Sequence, residues 1–101
     1  MNYIYTIDEL KRAITPLAQS YGVLRVILFG SYARGEANEQ SDIDLHIVAG
    51  NVDFMEICAL NVDLEEALQK KIGMSLEEYM DISDFIRNDI MAEGKVLYEI
   101  R

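Results

Sequence analysis

The sequence predicts an α+β domain: a small mixed β-sheet with helices packed mainly on one face. Three observations lead there. Val23 to Phe29 is an almost continuous apolar run, and Asp42 to Val48 alternates between polar and apolar residues up to its last position. These are the patterns of an interior strand covered on both faces and of a strand with one apolar and one polar face. The stretch between them is too short for a full βαβ crossover with a proper helix. Apolar residues at helical spacing flank the pair on both sides, so helices must cover the sheet. With 101 residues, half of them hydrophobic and 27% charged, residues 1–101 are expected to form one domain around one core.

The elements follow in order. Thr6-Ile7-Asp8-Glu9 reads as a capping box, with Thr6 as N-cap and Glu9 reaching back. Ile7, Leu10, Ile14, Leu17 and Tyr21 then recur at helical spacing, and Gly22 ends the helix. Pro16 falls inside this pattern and is expected to kink or split it near Ile14-Thr15. Val23 to Phe29 forms the first strand, stopped by Gly30-Ser31, and Tyr32 to Gly35 has room for one helical turn. Glu36 to Ser41 is a polar loop. The second strand, Asp42 to Val48, puts Ile43, Leu45 and Ile47 on one face and Asp42, Asp44 and His46 on the other.

After the turn at Ala49-Gly50-Asn51, Asp53 to Glu56 resembles a second capping box. Phe54, Ile57, Cys58, Leu64, Leu68 and Ile72 then give a helical stripe as far as Gly73, the expected C-cap. Residues 74–80 suit either a helix start at Ser75-Leu76-Glu77-Glu78 or a short strand using Met74, Leu76, Tyr79 and Met80. Ser83 or Asp84 caps a last helix that buries Phe85, Ile86 and Ile90 and stops at Gly94. Val96-Leu97-Tyr98 docks on the body as a short apolar tail.

Composition narrows the function. Nine Lys+Arg against 18 Asp+Glu leave a net charge of −9. A free-standing nucleic-acid binder needs a basic footprint, so direct nucleic-acid binding is not expected. An acidic surface suits a basic protein partner or a metal-chelated substrate. The single cysteine, Cys58, excludes an intramolecular disulfide and a cysteine-based zinc cluster, reads as a small buried hydrophobe, and fits a reducing cytoplasm. No apolar run approaches the ~20 residues of a membrane span, and the first ten residues lack the basic start of a signal peptide.

The chemistry concentrates between Gly30 and Val48. Asp42 and Asp44 lie at i and i+2 of a strand, on one face, with Cα atoms roughly 6.5–7 Å apart. Such a pair on an edge strand can simply face water. Inside a sheet, two like charges call for a cation, and hard oxygen ligands suit Mg²⁺ shared with a substrate phosphate. Gly30-Ser31 follows a buried strand and opens a helical turn. It is either an ordinary turn or a phosphate cradle, where glycine lets the backbone approach and free N–H groups and the Ser31 hydroxyl donate. Each half of this pairing strengthens the other. His46, the only histidine, shares the face of the aspartates and reads as a neutral polar residue at the rim of the site.

Gly30-Ser31, ten intervening residues, then Asp42-x-Asp44 resembles the signature of the DNA polymerase beta nucleotidyltransferase superfamily. The fuller string, Phe29-Gly30-Ser31-Tyr32-Ala33-Arg34-Gly35 and Ser41-Asp42-Ile43-Asp44-Leu45, resembles its minimal nucleotidyltransferase branch. The likeness runs more loosely to Gly94-Lys95-Val96-Leu97-Tyr98. It implies a nucleotidyltransferase fold, two Mg²⁺ ions, and transfer of a nucleoside monophosphate from an NTP, ATP above all, to a hydroxyl with release of pyrophosphate. Carried over, Gly30 and Ser31 hold the triphosphate, Asp42 and Asp44 bind the metals, and Arg34 is either a phosphate contact or a structural arginine.

The sequence departs from the family at one place. A third carboxylate is expected on the next strand, in a Val-Asp-Leu-like segment. The best match is Met74-Ser75-Leu76, which puts Ser75 where the acid belongs. Glu77, two residues on and on the same face of a strand, is the candidate substitute as a catalytic and metal-binding third acid. The minimal branch implies an antitoxin that adenylylates a hydroxyl, typically tyrosine, on a helical HEPN ribonuclease toxin. The alternative is a catalytically weakened module that neutralises the toxin by complex formation. A small-molecule acceptor would need an oligomer or a partner to complete its site.

Overall fold

The first helix, α1 (Ile7–Tyr21), begins where the capping box requires. Thr6 Oγ1 accepts the Glu9 N–H at 3.1 Å, and Glu9 Oε1 accepts the Thr6 N–H at 2.9 Å. Thr6→Ala should therefore cost about 1 kcal/mol of stability, read from urea melts. Gly22 closes the helix in the left-handed conformation at φ +80. Pro16 does not split it: α1 runs unbroken through the proline. Pro16 sits on the exposed face, where the carbonyl left without an N–H partner reaches water. The coordinates are a computed structural model that describes residues 3–78 and 84–100, the side chains of 84–86 apart.

Seven further elements follow: β1 (Arg25–Phe29), α2 (Gly30–Arg34), β2 (Ile43–Val48), α3 (Phe54–Leu68), β3 (Ile72–Leu76), α4 (Asp84–Glu93) and β4 (Lys95–Glu99). The strands form one mixed sheet in the order β3-β2-β1-β4. β1 is antiparallel to both β2 and β4, whereas β2 and β3 run parallel. The parallel pair is joined through α3, and the short stretch between β1 and β2 makes the antiparallel pair its length requires.

One face of the sheet carries the core. Ile43, Leu45 and Ile47 of β2 and Leu28 of β1 are fully buried there, with Leu10 and Ile14 of α1 and Ile57, Leu60, Leu64 and Leu68 of α3 in the same cluster. Tyr21 Oη donates to Asp63 at 2.6 Å and Tyr5 Oη to the Leu68 carbonyl at 2.7 Å, tying the chain around α1 to α3. The other face is only partly covered. Ile27 lines a recess together with Ile90 and Met91 of α4. β1 is thus interior to the sheet but not covered on both faces: Val26 and Leu28 are buried, Ile27 and Phe29 half-buried.

Three further expectations change. α3 ends at Leu68, with Gln69 in the left-handed conformation at φ +54, and not at Gly73. Ile72 and Gly73 are drawn into β3 by pairing with β2, which overrides the helical stripe. Cys58 is exposed, not buried, because Ile57 and Leu60 take the core-facing positions of that turn. Residues 74–80 are strand through Leu76. Tyr79, Met80, the Ser83 cap and the side chains of Phe85 and Ile86 lie outside the described residues. The expected apolar tail is β4, whose Leu97 is buried.

Candidate active site

The site is built where β1 meets α2. Phe29 at the end of β1 pairs with Asp44 of β2, and the chain then turns through Gly30 at φ +74. This turn lays Gly30 directly against the Asp44 carboxylate: a Cβ at Gly30 would collide with Oδ2. From the other side β3 brings Gly73 opposite Asp44, and a Cβ there would stand 2.6 Å from Oδ1. The Asp44 carboxylate is seated between two glycines, and both of its oxygens occupy space that side chains would fill.

Asp42 is exposed just before β2, and Asp44 is half-buried. Burial, and then the neighbouring Asp42 charge, push the Asp44 pKa above the ordinary carboxylate value, while Arg34 pulls the other way. Two carboxylates held together with one partly desolvated are short of positive charge. Arg34 supplies some of it from the last turn of α2. Its guanidinium is also engaged by Glu36 at 2.8 Å and Glu93 at 3.2 Å, the latter linking α2 to α4. The hydrogen bonds it donates to Glu36 and then Glu93 raise its pKa. Ser31 is half-buried beside Gly30 at the start of α2.

The structure separates the other candidates from this pair. Ser75 pairs with His46, not with Asp44. Glu77 lies beyond β3, where its N–H still reaches the Ile47 carbonyl at 2.9 Å. Its carboxylate contacts His46 Nε2 at 3.1 Å. Glu77 lies four positions past Gly73, about 13 Å along the chain at strand rise, more than a glutamate side chain spans. Glu77 is therefore not brought to Asp42 and Asp44. The exit from β3 is pinned further by Glu78, which accepts the N–H groups of Ala49 and Gly50 at 2.9 Å each. His46 is not at a rim: it is 3% exposed, with Ser75 Oγ 2.8 Å from Nδ1.

Gly73, opposite Asp44, is a site position that the sequence alone does not single out. Ile72-Gly73-Met74 has the same apolar-x-apolar form as Met74-Ser75-Leu76 one pleat later. Only the parallel register with β2 decides which of the two faces the aspartates. Among the described residues, no group of three or more His, Cys, Asp or Glu could hold a metal ion. The donor set fits a hard divalent cation whose shell is completed by phosphate oxygens and water, in the usual manner of Mg²⁺.

A strand, a Gly-Ser turn into a short helix and a carboxylate pair at the head of the neighbouring antiparallel strand meet at one place. The family model described as polymerase beta, nucleotidyltransferase matches residues 12–101, and the chain belongs to this family. It is 37% identical over 84 residues to protein adenylyltransferase MntA of Thermococcus cleftensis, covering 77% of this chain and 80% of that protein. Among solved structures, the chain resembles a toxin–antitoxin crystallised with AMP-PNP. The TM-score is 0.74 at 23% identity, over 90% of this chain and 74% of that one. It also resembles a chain from the tri-AMPylated HEPN toxin of Shewanella oneidensis in complex with its MNT antitoxin. Here the TM-score is 0.69 at 20% identity, over 94% and 74% of the two chains. These likenesses show a shared minimal nucleotidyltransferase fold. No helix among the described residues is long and apolar enough to cross a membrane.

Proposed function

We propose that this chain is the antitoxin of a two-protein module, a protein adenylyltransferase that moves AMP from ATP to a hydroxyl of a HEPN-type toxin, a tyrosine above all, in the cytoplasm. The observation that carries the reading is the Asp44 carboxylate held between Gly30 and Gly73 with Asp42 beside it. The names of its relative and structural neighbours, an adenylyltransferase and toxin–antitoxin complexes, support it. They favour the enzyme over a purely masking module. The net charge of −9 suits a basic ribonuclease partner and argues against a polynucleotide acceptor.

In this reading the backbone at Gly30 and the Ser31 hydroxyl hold the triphosphate, because only glycine at φ +74 lets the chain pass so close to Asp44. Asp42 and Asp44 would hold Mg²⁺ together with phosphate oxygens. The ion, when bound, neutralises the phosphate charge and orients the reacting groups. A second ion, which the family resemblance implies, would draw on the same two aspartates and on oxygens of the substrates. Arg34 already balances Asp44 and Glu93. Turning toward the triphosphate would exchange one anion for another, and Arg34→Ala should weaken ATP binding by a few-fold, ~1 kcal/mol.

Calorimetry tests the core of the proposal. ATP should bind in Mg²⁺ and lose affinity in EDTA. Asp42→Asn should weaken MgATP at least ~tenfold, since one of two carboxylate ligands becomes neutral. ATP binding that ignores both changes would mean that the aspartates hold no metal–nucleotide complex.

A further inference from the structure

β3 is an edge strand. Among the described residues it pairs with β2 alone, and the other side of its backbone is open. The bonds to β2 leave from alternate residues. The Lys71 carbonyl accepts the Ile43 N–H at 3.0 Å, and the Glu77 N–H donates to the Ile47 carbonyl at 2.9 Å. Lys71, Gly73, Ser75 and Glu77 therefore turn their backbone groups toward β2, whereas Ile72, Met74 and Leu76 turn theirs outward. One outward group is covered: Glu65 of α3 reaches across the edge and accepts the Ile72 N–H at 2.9 Å. A row of unpaired N–H and C=O groups invites another strand, and a charged side chain laid over it is a common way to blunt the edge.

An apolar groove of about 330 Å³ runs beside this edge, between α3 and β3, with Ile57, Cys58, Val62, Met74 and Leu76 in its lining. Val62 and Cys58, four residues apart on one side of α3, are exposed. Ile72, Met74 and Leu76 share the α3 face of the sheet, because they pair with Ile43, Leu45 and Ile47. Lys71, Gly73, Ser75 and Glu77 alternate with them and belong to the face of the aspartates.

The edge is complementary to itself. Read antiparallel about Met74, the segment Lys71 to Glu77 sets Met74 opposite Met74, Ile72 opposite Leu76, Gly73 opposite Ser75 and Lys71 opposite Glu77. Opposed residues share a face, so apolar side chains meet on the groove side and opposite charges meet twice on the other. The residues with outward backbone groups, 72, 74 and 76, oppose one another, as hydrogen-bonded antiparallel pairs require. Lys71 is exposed and the Glu77 side chain is 42% exposed, so both charges can be reached.

We propose that two copies of this chain dimerise through β3, antiparallel about Met74, and join their four-stranded sheets into one. The contact uses the same surface on both copies and is closed by a twofold axis. α3 lies on the same side of the sheet in each copy, so the two grooves face each other across the axis. A charge of −9 on each copy opposes contact elsewhere. Here each copy offers Lys71 to the Glu77 of the other. Glu65 occupies the place that the second copy's Leu76 carbonyl takes on the Ile72 N–H, so it has to let go before the ladder closes. Glu65 is thus a guard on the edge that keeps the dimer reversible. The seam runs beside Gly73, the residue opposite Asp44, and so sets both aspartate pairs on one face of the joined sheet. The pairing goes beyond the proposed function and does not depend on it.

Sedimentation velocity of the full chain, from ~1 to ~500 μM, reads the equilibrium. The wild type should pass from monomer toward dimer within that range. Glu65→Ala frees the Ile72 N–H and should tighten the dimer at least ~tenfold. Glu65→Gln keeps an acceptor on that N–H and should stay within about threefold of wild type. Lys71→Glu sets two acids opposite each other on both sides of the axis and should weaken the dimer at least ~tenfold, and adding Glu77→Lys should restore it. If the double variant does not fold, Lys71→Glu and Glu65→Ala, both outside the core, carry the test. A wild type that stays monomeric throughout overturns the proposal. So does a dimer indifferent to Lys71→Glu, because its contact lies on another surface.

Discussion

Asp44→Asn is expected to abolish AMP transfer while leaving the domain at least as stable as wild type. The two halves of this result have one cause. Asp44 is half-buried, and burial followed by the Asp42 charge raises its pKa in the folded protein. The ionised form is therefore disfavoured by folding. The group's contribution to stability is full at pH below the ordinary carboxylate value and is lost as pH rises through the raised one. Near neutral pH the charge is a net cost to the fold, retained for what it binds. Asparagine has the same shape, fits between Gly30 and Gly73, and removes the charge. Transfer should fall at least ~1,000-fold, about 4 kcal/mol at the transition state. The thermal midpoint at pH 7 should hold or rise, and the gap from wild type should close as pH falls toward 4. A drop in stability on the scale of a core deletion, ~2–5 kcal/mol, would make Asp44 a structural residue.

The parts of this molecule that were legible in the sequence are those fixed by local chemistry. The Thr6/Glu9 box, the Gly22 cap and the alternation of Ile43, Leu45 and Ile47 each depend on residues within a turn or a pleat. So does the joining of Gly30 to the end of β1, and the carboxylate pair stands out because like charges on one face are costly. What was not legible depends on partners far along the chain. Whether Gly73 caps α3 or joins β3 is settled by pairing with β2, and an unremarkable glutamine, Gln69, takes the left-handed position instead. His46 reads as a rim residue until Ser75 and Glu77 are placed on its two nitrogens. Cys58 illustrates the limit of periodicity: its stripe was apolar enough for a core position, but Ile57 and Leu60 fill the core first.

The register of β3 leads to the second large effect, at Gly73. If a third acid belongs beside the pair, it belongs at Gly73, the residue directly opposite Asp44, and not at Ser75. Gly73 lacks the positive φ that favours glycine, so an L-residue fits its backbone. The contact its Cβ would make, 2.6 Å, is with the free end of the Asp44 side chain, which can rotate aside. Gly73→Asp should then place three carboxylates around one point. Without a cation they repel, and the variant should melt below wild type in EDTA. With Mg²⁺ and ATP the order should reverse, and Mg²⁺ affinity should rise at least ~tenfold, 1.4 kcal/mol, because ligand charge sets the affinity of such sites. Ser75→Asp should do the opposite: it puts a charge in a buried position, breaks the Ser75–His46 bond, and costs ~1–3 kcal/mol whether or not Mg²⁺ is present. Melting both variants in EDTA and in MgATP separates the two positions. If only Gly73→Asp is rescued by Mg²⁺, position 73 faces the metal site. If only Ser75→Asp is rescued, the register drawn here between β2 and β3 is wrong. The same preparations, assayed for transfer to the toxin, decide how far the two-aspartate site suffices. A Gly73→Asp variant that transfers much faster than wild type would mean that the native protein works with an incomplete metal shell and relies on binding its partner as well as modifying it.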